Sequence, residues 1–119
     1  MINVRPHKQL TVWQKAIELV TEIYKLSDGF PRKEDFGLAA QLRRAAVSVP
    51  SNIAEGLTRK SVKDKLHFLN IAQSSLSEID TQLEICRRLR YVDEETYGAT
   101  EARLVEVEKM LSGLARSIR

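Results

Sequence analysis

The sequence predicts an all-α protein, an antiparallel up-down-up-down four-helix bundle whose second helix is kinked by a proline. Three observations carry this. Apolar residues recur every three or four positions in four long stretches, short connections join those stretches, and only three prolines and five glycines are available for loops. A chain of 119 residues, 43% apolar and 29% charged, suits a single domain over 1–119 with a core that needs neither disulfides nor metals.

Met1–Gln9 reads as an extended leader, because Pro6 opposes an early helix. Thr11 with Gln14 three residues on has capping-box spacing, and Leu10, Trp13, Ile17, Val20 and Tyr24 then follow in steps of three and four, with Ala16 and Ile23 widening the stripe. This first helix is expected to end near Ser27, where Asp28-Gly29 is a stop signal. Phe30-Pro31 makes a turn that tucks an aromatic ring under the bundle.

The second helix starts between Arg32 and Phe36, with Glu34 and Asp35 at the positive end of its dipole, and runs to about Lys60. Leu38, Leu42, Ala45, Val49 and Ile53 form its apolar stripe. Gln41, Arg44, Ser48, Ser51 or Asn52, and Glu55 keep the same period on an adjoining face, a polar seam. Pro50 lies inside the pattern, where a proline costs on the order of 3 kcal/mol. The stripe keeps its phase across Pro50, and Ser48, Ser51 and Asn52 stand ready to bond freed backbone groups, which favours one kinked helix. Two short helices divided at Val49-Pro50 are the alternative.

Ser61 and Asp64 make a plausible cap for a third helix running to about Arg90, with Leu69, Ala72, Leu76, Ile79, Leu83, Cys86 and Leu89 as its stripe. Its second face carries Phe68, Ser75, Glu78 and Gln82. Tyr91-Val92-Asp93 is a tight link, Asp93 caps the fourth helix, and Tyr97, Leu104, Val107, Leu111, Leu114 and Ile118 mark its buried side.

The run RRAAVSVPSNIAEG, with Phe30-Pro31 before it and IAQSSLSEIDTQLEI after it, resembles the signature of the four-helix-bundle proteins encoded in intervening sequences of bacterial 23S ribosomal RNA genes. The likeness extends from Leu10-Thr11-Val12-Trp13 into the last helix. That family is similar in turn to the accessory variability determinant proteins of diversity-generating retroelements. The resemblance implies the bundle fold and a homopentamer, and the retroelement branch implies a protein-interaction adaptor that binds a reverse transcriptase.

Nothing in the residues points to catalysis or a cofactor. His7 and His67 lie in different segments, and neither forms a metal-binding pair or a Glu-x-x-His unit; no phosphate loop or nucleophile elbow is present. Cys86 falls on an apolar stripe and reads as inert packing, and a single cysteine is consistent with a reducing cytoplasm. No stretch is long and apolar enough for a signal peptide or a membrane span.

Two surface readings remain. Arg44 and Glu78 fall at similar heights on antiparallel helices, so the seam of Arg44, Glu55, Glu78 and Gln82 is either a structural network built on a buried Arg-carboxylate pair or a solvated polar face. The net charge of +3 and pI of about 9.2 mean little until the charges are placed. Alternating helices gather Arg59, Lys60, Lys63 and Lys65 at one end, joined by Arg5, Lys8, Arg116 and Arg119. The other end gathers Arg32, Lys33, Arg87, Arg88 and Arg90, but Asp93, Glu94, Glu95 and Glu101 partly neutralise it. The first pole is the candidate for an RNA or DNA backbone, with Arg59, Lys60, Lys63, Lys65 and Arg116 as phosphate contacts. Dipole complementation by basic residues at helix C-termini is the plainer explanation. Repetition of the pole in a homo-oligomeric ring adds weak contacts together, and without an aromatic stacking platform any binding is expected to be backbone-directed.

Overall fold

The computed structural model describes residues 6–119 and is all-helical: α1 (Thr11–Ser27), α2 (Leu38–Thr58), α3 (Val62–Arg88) and α4 (Glu94–Ile118), with 3-10 turns at Pro6–Gln9 and Arg32–Glu34. The first of these corrects part of the expected leader, since Pro6–Gln9 coil rather than extend; Met1 to Arg5 lie outside the described residues. Cross-helix contacts fix the order. Ser75 of α3 bonds Ser48 of α2, Gln73 of α3 bonds Ser112 of α4 while Glu84 meets Tyr97, and Lys15 and Glu18 of α1 meet Glu106 and Arg103 of α4. Sequence number falls on one partner as it rises on the other for α3–α4 and α1–α4, and Arg59 of α2 over Phe68 of α3 does the same beside the Ser48–Ser75 bond, so these neighbouring helices are antiparallel. The upper pole holds the α1–α2 turn and the α3–α4 link; the lower pole holds the α2–α3 turn and the end of α4.

The core is a column of fully buried side chains: Leu19 and Ile23 from α1, Leu42, Val49 and Ile53 from α2, Leu69, Leu76, Ile79 and Leu83 from α3, and Leu104, Val107 and Leu111 from α4. Each contributes roughly 1.5–3 kcal/mol by leaving water. Phe30 closes the upper end and packs against Tyr91 at 5.3 Å between ring centroids, as the turn at Phe30-Pro31 led us to expect.

The boundaries of α1 match the expected helix, but its buried side does so only in part: Ala16 and Ile23, expected to widen the stripe, are buried, while the stripe itself is not. Val12, Ala16, Leu19 and Ile23 face the core, whereas Leu10, Trp13, Ile17 and Val20 are only half buried and Tyr24 is 43% exposed. The two stripes lie one residue apart on the helix surface. The bundle interior takes the one with small Ala16, and the bulkier one faces the seam with α2. The Thr11 cap is also absent: Leu10 is the N-cap residue, and Gln14 reaches back to the Lys8 carbonyl instead, at 2.6 Å.

α2 begins at Leu38, later than expected, because Arg32–Glu34 form their own 3-10 turn; Glu34 Oε1 accepts from the Leu38 amide at 3.3 Å. It then continues unbroken through Pro50 to Thr58, which excludes two separate helices. Asn52 donates to the Ser48 carbonyl at 2.8 Å and to its hydroxyl at 2.9 Å, two residues from the proline. Ser61 and Asp93 cap α3 and α4 as read, accepting from the Asp64 and Thr96 amides at 3.1 and 2.7 Å. α3 stops short of Leu89, which is 51% exposed, because Arg90 turns left-handed at φ 63° and the Tyr91 amide folds back onto the Cys86 carbonyl. No helix among the described residues is long and apolar enough to cross a membrane.

Candidate nucleic-acid interface

The lower pole is built by the tight turn between α2 and α3. Gly56 makes it possible: a Cβ there would stand 3.1 Å from the Lys65 carbonyl oxygen and 3.2 Å from Phe68 Cβ. The close approach brings the end of α2, with Arg59, against the first turns of α3, with Lys63 and Lys65. Counting along α3 and α4 from the Gln73–Ser112 bond puts Arg116 level with Leu69, one turn from Lys65.

The five residues assigned here from sequence divide into two kinds. Arg59 is engaged: its Nη2 is 2.6 Å from Glu55 Oε1, and its guanidinium lies 4.7 Å over the Phe68 ring. An aromatic ring does stand in the basic pole, but its face is taken by this arginine. Lys60, Lys63 and Arg116 are exposed, Lys65 is half buried, and among the described residues none has a carboxylate within 4.0 Å; Lys8 and Arg119 share that condition. Lys63 and Lys65 occupy the first turn of α3, where the dipole disfavours cations. Complementation of a helix terminus explains Arg116 and not these two.

The upper pole is neutralised in part: Arg32, Lys33 and Arg90 are exposed and, among the described residues, also have no carboxylate within 4.0 Å, but its other cations are held. Arg87 bridges Glu94 at 3.3 Å and Glu84 at 3.5 Å, Arg88 holds Glu84 at 2.8 Å, and Arg43 holds Asp28 at 3.0 Å while also bonding Ser27 and lying over Tyr24. The Arg88 guanidinium is the main cause that keeps the Glu84 carboxyl below its ordinary range. Sequence reasoning missed the Arg43 network; the only sign of it was a basic residue adjacent to the polar seam.

The seam itself is looser than a buried ion pair. Arg44 and Glu78 are both exposed and line one cleft with Gln41, Ala45, Ser48 and Ser75, without an ion pair between them. Glu55 turns to Arg59, and Gln82 is buried with its Oε1 unpartnered. The contact that crosses from α3 to α2 is the Ser75 hydroxyl donating to Ser48 at 2.8 Å. Two long side chains reach solvent easily at this edge, so desolvating both charges has no return there.

A second charged feature, also missed, lies in the groove between α3 and α4. Burial is the main cause that raises the Glu101 carboxyl above its ordinary value, followed by the facing Asp80 carboxylate; Glu108, on the same side of α4, is raised by burial and then by Asp80. The spacing of Glu101 and Glu108 by seven residues was the available signal. Among the described residues no three His, Cys, Asp or Glu side chains are placed to hold a metal ion. Cys86 lies in the core, where burial pushes its thiol up to about 11.

The profile described as 23S rRNA-intervening sequence protein matches residues 8–113. A solved structure from Bacteroides thetaiotaomicron, a protein with unknown function from the S23 ribosomal protein family, is 26% identical and superposes with a TM-score of 0.81, over 88% of this chain and 95% of that one. No curated protein matches the chain.

Proposed function

The chain belongs to the 23S rRNA-intervening sequence protein family, and from that premise we propose that it is a non-enzymatic, homo-oligomeric protein, pentameric in the expected assembly, that binds an RNA or DNA backbone through its lower pole. One observation carries the reading: Lys60, Lys63 and Lys65 stay free of carboxylates around a single helix start, while at the opposite pole Arg87, Arg88 and Arg43 are held by acids and Arg32, Lys33 and Arg90 are free. Lysines without carboxylate partners at the positive end of a helix dipole favour phosphate. The ribosomal name of the structural neighbour's family supports an RNA setting. A ring would present the pole several times over, so contacts too weak singly would add.

Light-scattering mass of the purified protein, alone and with a short RNA duplex at low and high salt, tests this. The expected result is a multi-chain particle that takes up RNA at low salt and releases it at high salt. A particle indifferent to RNA at both salts would overturn the binding reading and turn attention to a protein partner, the adaptor role.

A further inference from the structure

Phe36 is 98% exposed, in the turn just before α2. A bare phenyl ring of that size, roughly 150–250 Å² of apolar surface, has no role inside its own bundle. On the α1–α2 seam lies a groove of about 360 Å³ lined by half-buried Trp13, Ile17 and Val20 of α1, the stripe that the core does not use, and by Val47, buried Pro50 and Ala54 of α2. Charges of opposite sign stand near the two features, Asp35 at the ring and Arg44 on the exposed edge of α2 between the groove and the α2–α3 cleft that it lines with Glu78. Asp35 adjoins Phe36, Arg44 precedes Val47 by one helical turn, and neither has an ion-pair partner among the described residues.

We infer that Phe36 of one copy seats in the α1–α2 groove of a second copy, with Asp35 of the first facing Arg44 of the second. The inference rests on the homo-oligomeric reading above and says which surfaces make it. Knob and groove are different parts of the surface, so the contact is heterologous, the kind that generates rings when its rotation closes. An aromatic anchor in an apolar pocket with charges at its rim is the usual centre of such an interface.

Two measurements test it. Mass by light scattering is taken for the natural chain, for Phe36→Ala, and for Val47→Asp, which puts a charge into the groove. Separately, Asp35→Cys chains, which keep Phe36, and Ala54→Cys chains are mixed under mild oxidation and the disulfide is mapped by peptide mass; Cys86 is buried and stays out of the reaction. The expected result is that both mass variants fall toward the 13.6 kDa single chain with unchanged helical circular dichroism, and that the 35–54 mixed disulfide predominates over either homodisulfide. A multi-chain natural protein whose mass survives both changes, with no mixed disulfide, would overturn this contact while leaving the oligomer standing. A natural chain that stays single at every concentration would overturn contact and oligomer together, and RNA uptake would still be scored separately.

Discussion

The Tyr91 phenol donates a 2.9 Å hydrogen bond to Glu34 Oε2 while the other oxygen of that carboxylate accepts from the Leu38 amide at 3.3 Å. One side chain thus ties the α3–α4 link to the start of α2, and the bond to Glu34 is the main reason the Tyr91 phenol is held above its ordinary pKa. Tyr91→Phe keeps the ring against Phe30 and removes only this bond. It is expected to cost about 1 kcal/mol in urea denaturation, and Glu34→Ala more, since a helix-start amide is orphaned as well. Equal stability of Tyr91→Phe and the natural protein would mean the phenol finds water of equal worth.

Gly56 and Gly98 are both helical and should respond to alanine in opposite directions. Nothing stands within 4 Å of a Cβ at Gly98, so Gly98→Ala is expected to gain about 1 kcal/mol from helix propensity alone. At Gly56 the obstacle is the backbone oxygen of Lys65, which cannot swing aside, and overpacking costs about 1–3 kcal/mol. Gly56→Ala is therefore expected to lower the melting temperature despite the same propensity gain. A rise at both positions would show that α3 shifts freely against α2.

How much of this was legible follows the range of the interaction. The caps at Ser61 and Asp93 and the limits of α1 depend on neighbours within one turn, and the sequence displays them directly. The choice between two apolar stripes on α1 depends on what three other helices present, and periodicity alone cannot rank Val12-Ala16-Leu19 above Trp13-Ile17-Val20. The Glu34–Tyr91 bond spans 57 positions. Charge pairing is harder still: Arg44 and Glu78 do lie at one cleft, as the register argument placed them, but whether they join is decided by solvent exposure. The basic pole was legible because helix direction alone brings its residues to one end.

The acids between α3 and α4 work against the fold at neutral pH. A carboxyl raised in the native state, such as Glu101 or Glu108, stabilises fully while protonated, and that contribution is lost as pH rises from the ordinary glutamate range, about 4.3, toward the raised value. Asp93 and Glu84 act in the opposite sense, held low chiefly by the Thr96 amide and Arg88, so their contribution is lost as pH falls through the lowered values. Asp80→Asn removes the charge facing Glu101. It is expected to add on the order of 0.5 kcal/mol at pH 7, the scale of exposed pairs, with the gain vanishing near pH 3.5. A gain that persisted at low pH would place its origin in something other than charge.

The charge reading of the lower pole makes a sharper demand than loss of binding. Changing Lys60, Lys63 and Lys65 together to glutamine touches three side chains with no ion-pair partner, so folding stability should hold within about 0.5 kcal/mol. Two of the three leave the start of α3, where a cation opposes the dipole, which favours a slight gain. Binding to a DNA duplex should weaken, and the log-log salt slope should become shallower by about 0.9 for each lysine that meets a phosphate. Arg87→Gln with Arg88→Gln is the control, since both arginines are committed to Glu84 and Glu94. It should lower stability and leave the salt slope alone. If the arginine pair changed the slope and the lysines did not, the interface would lie at the upper pole, and pairing with acids would be no guide to which cations a phosphate backbone selects.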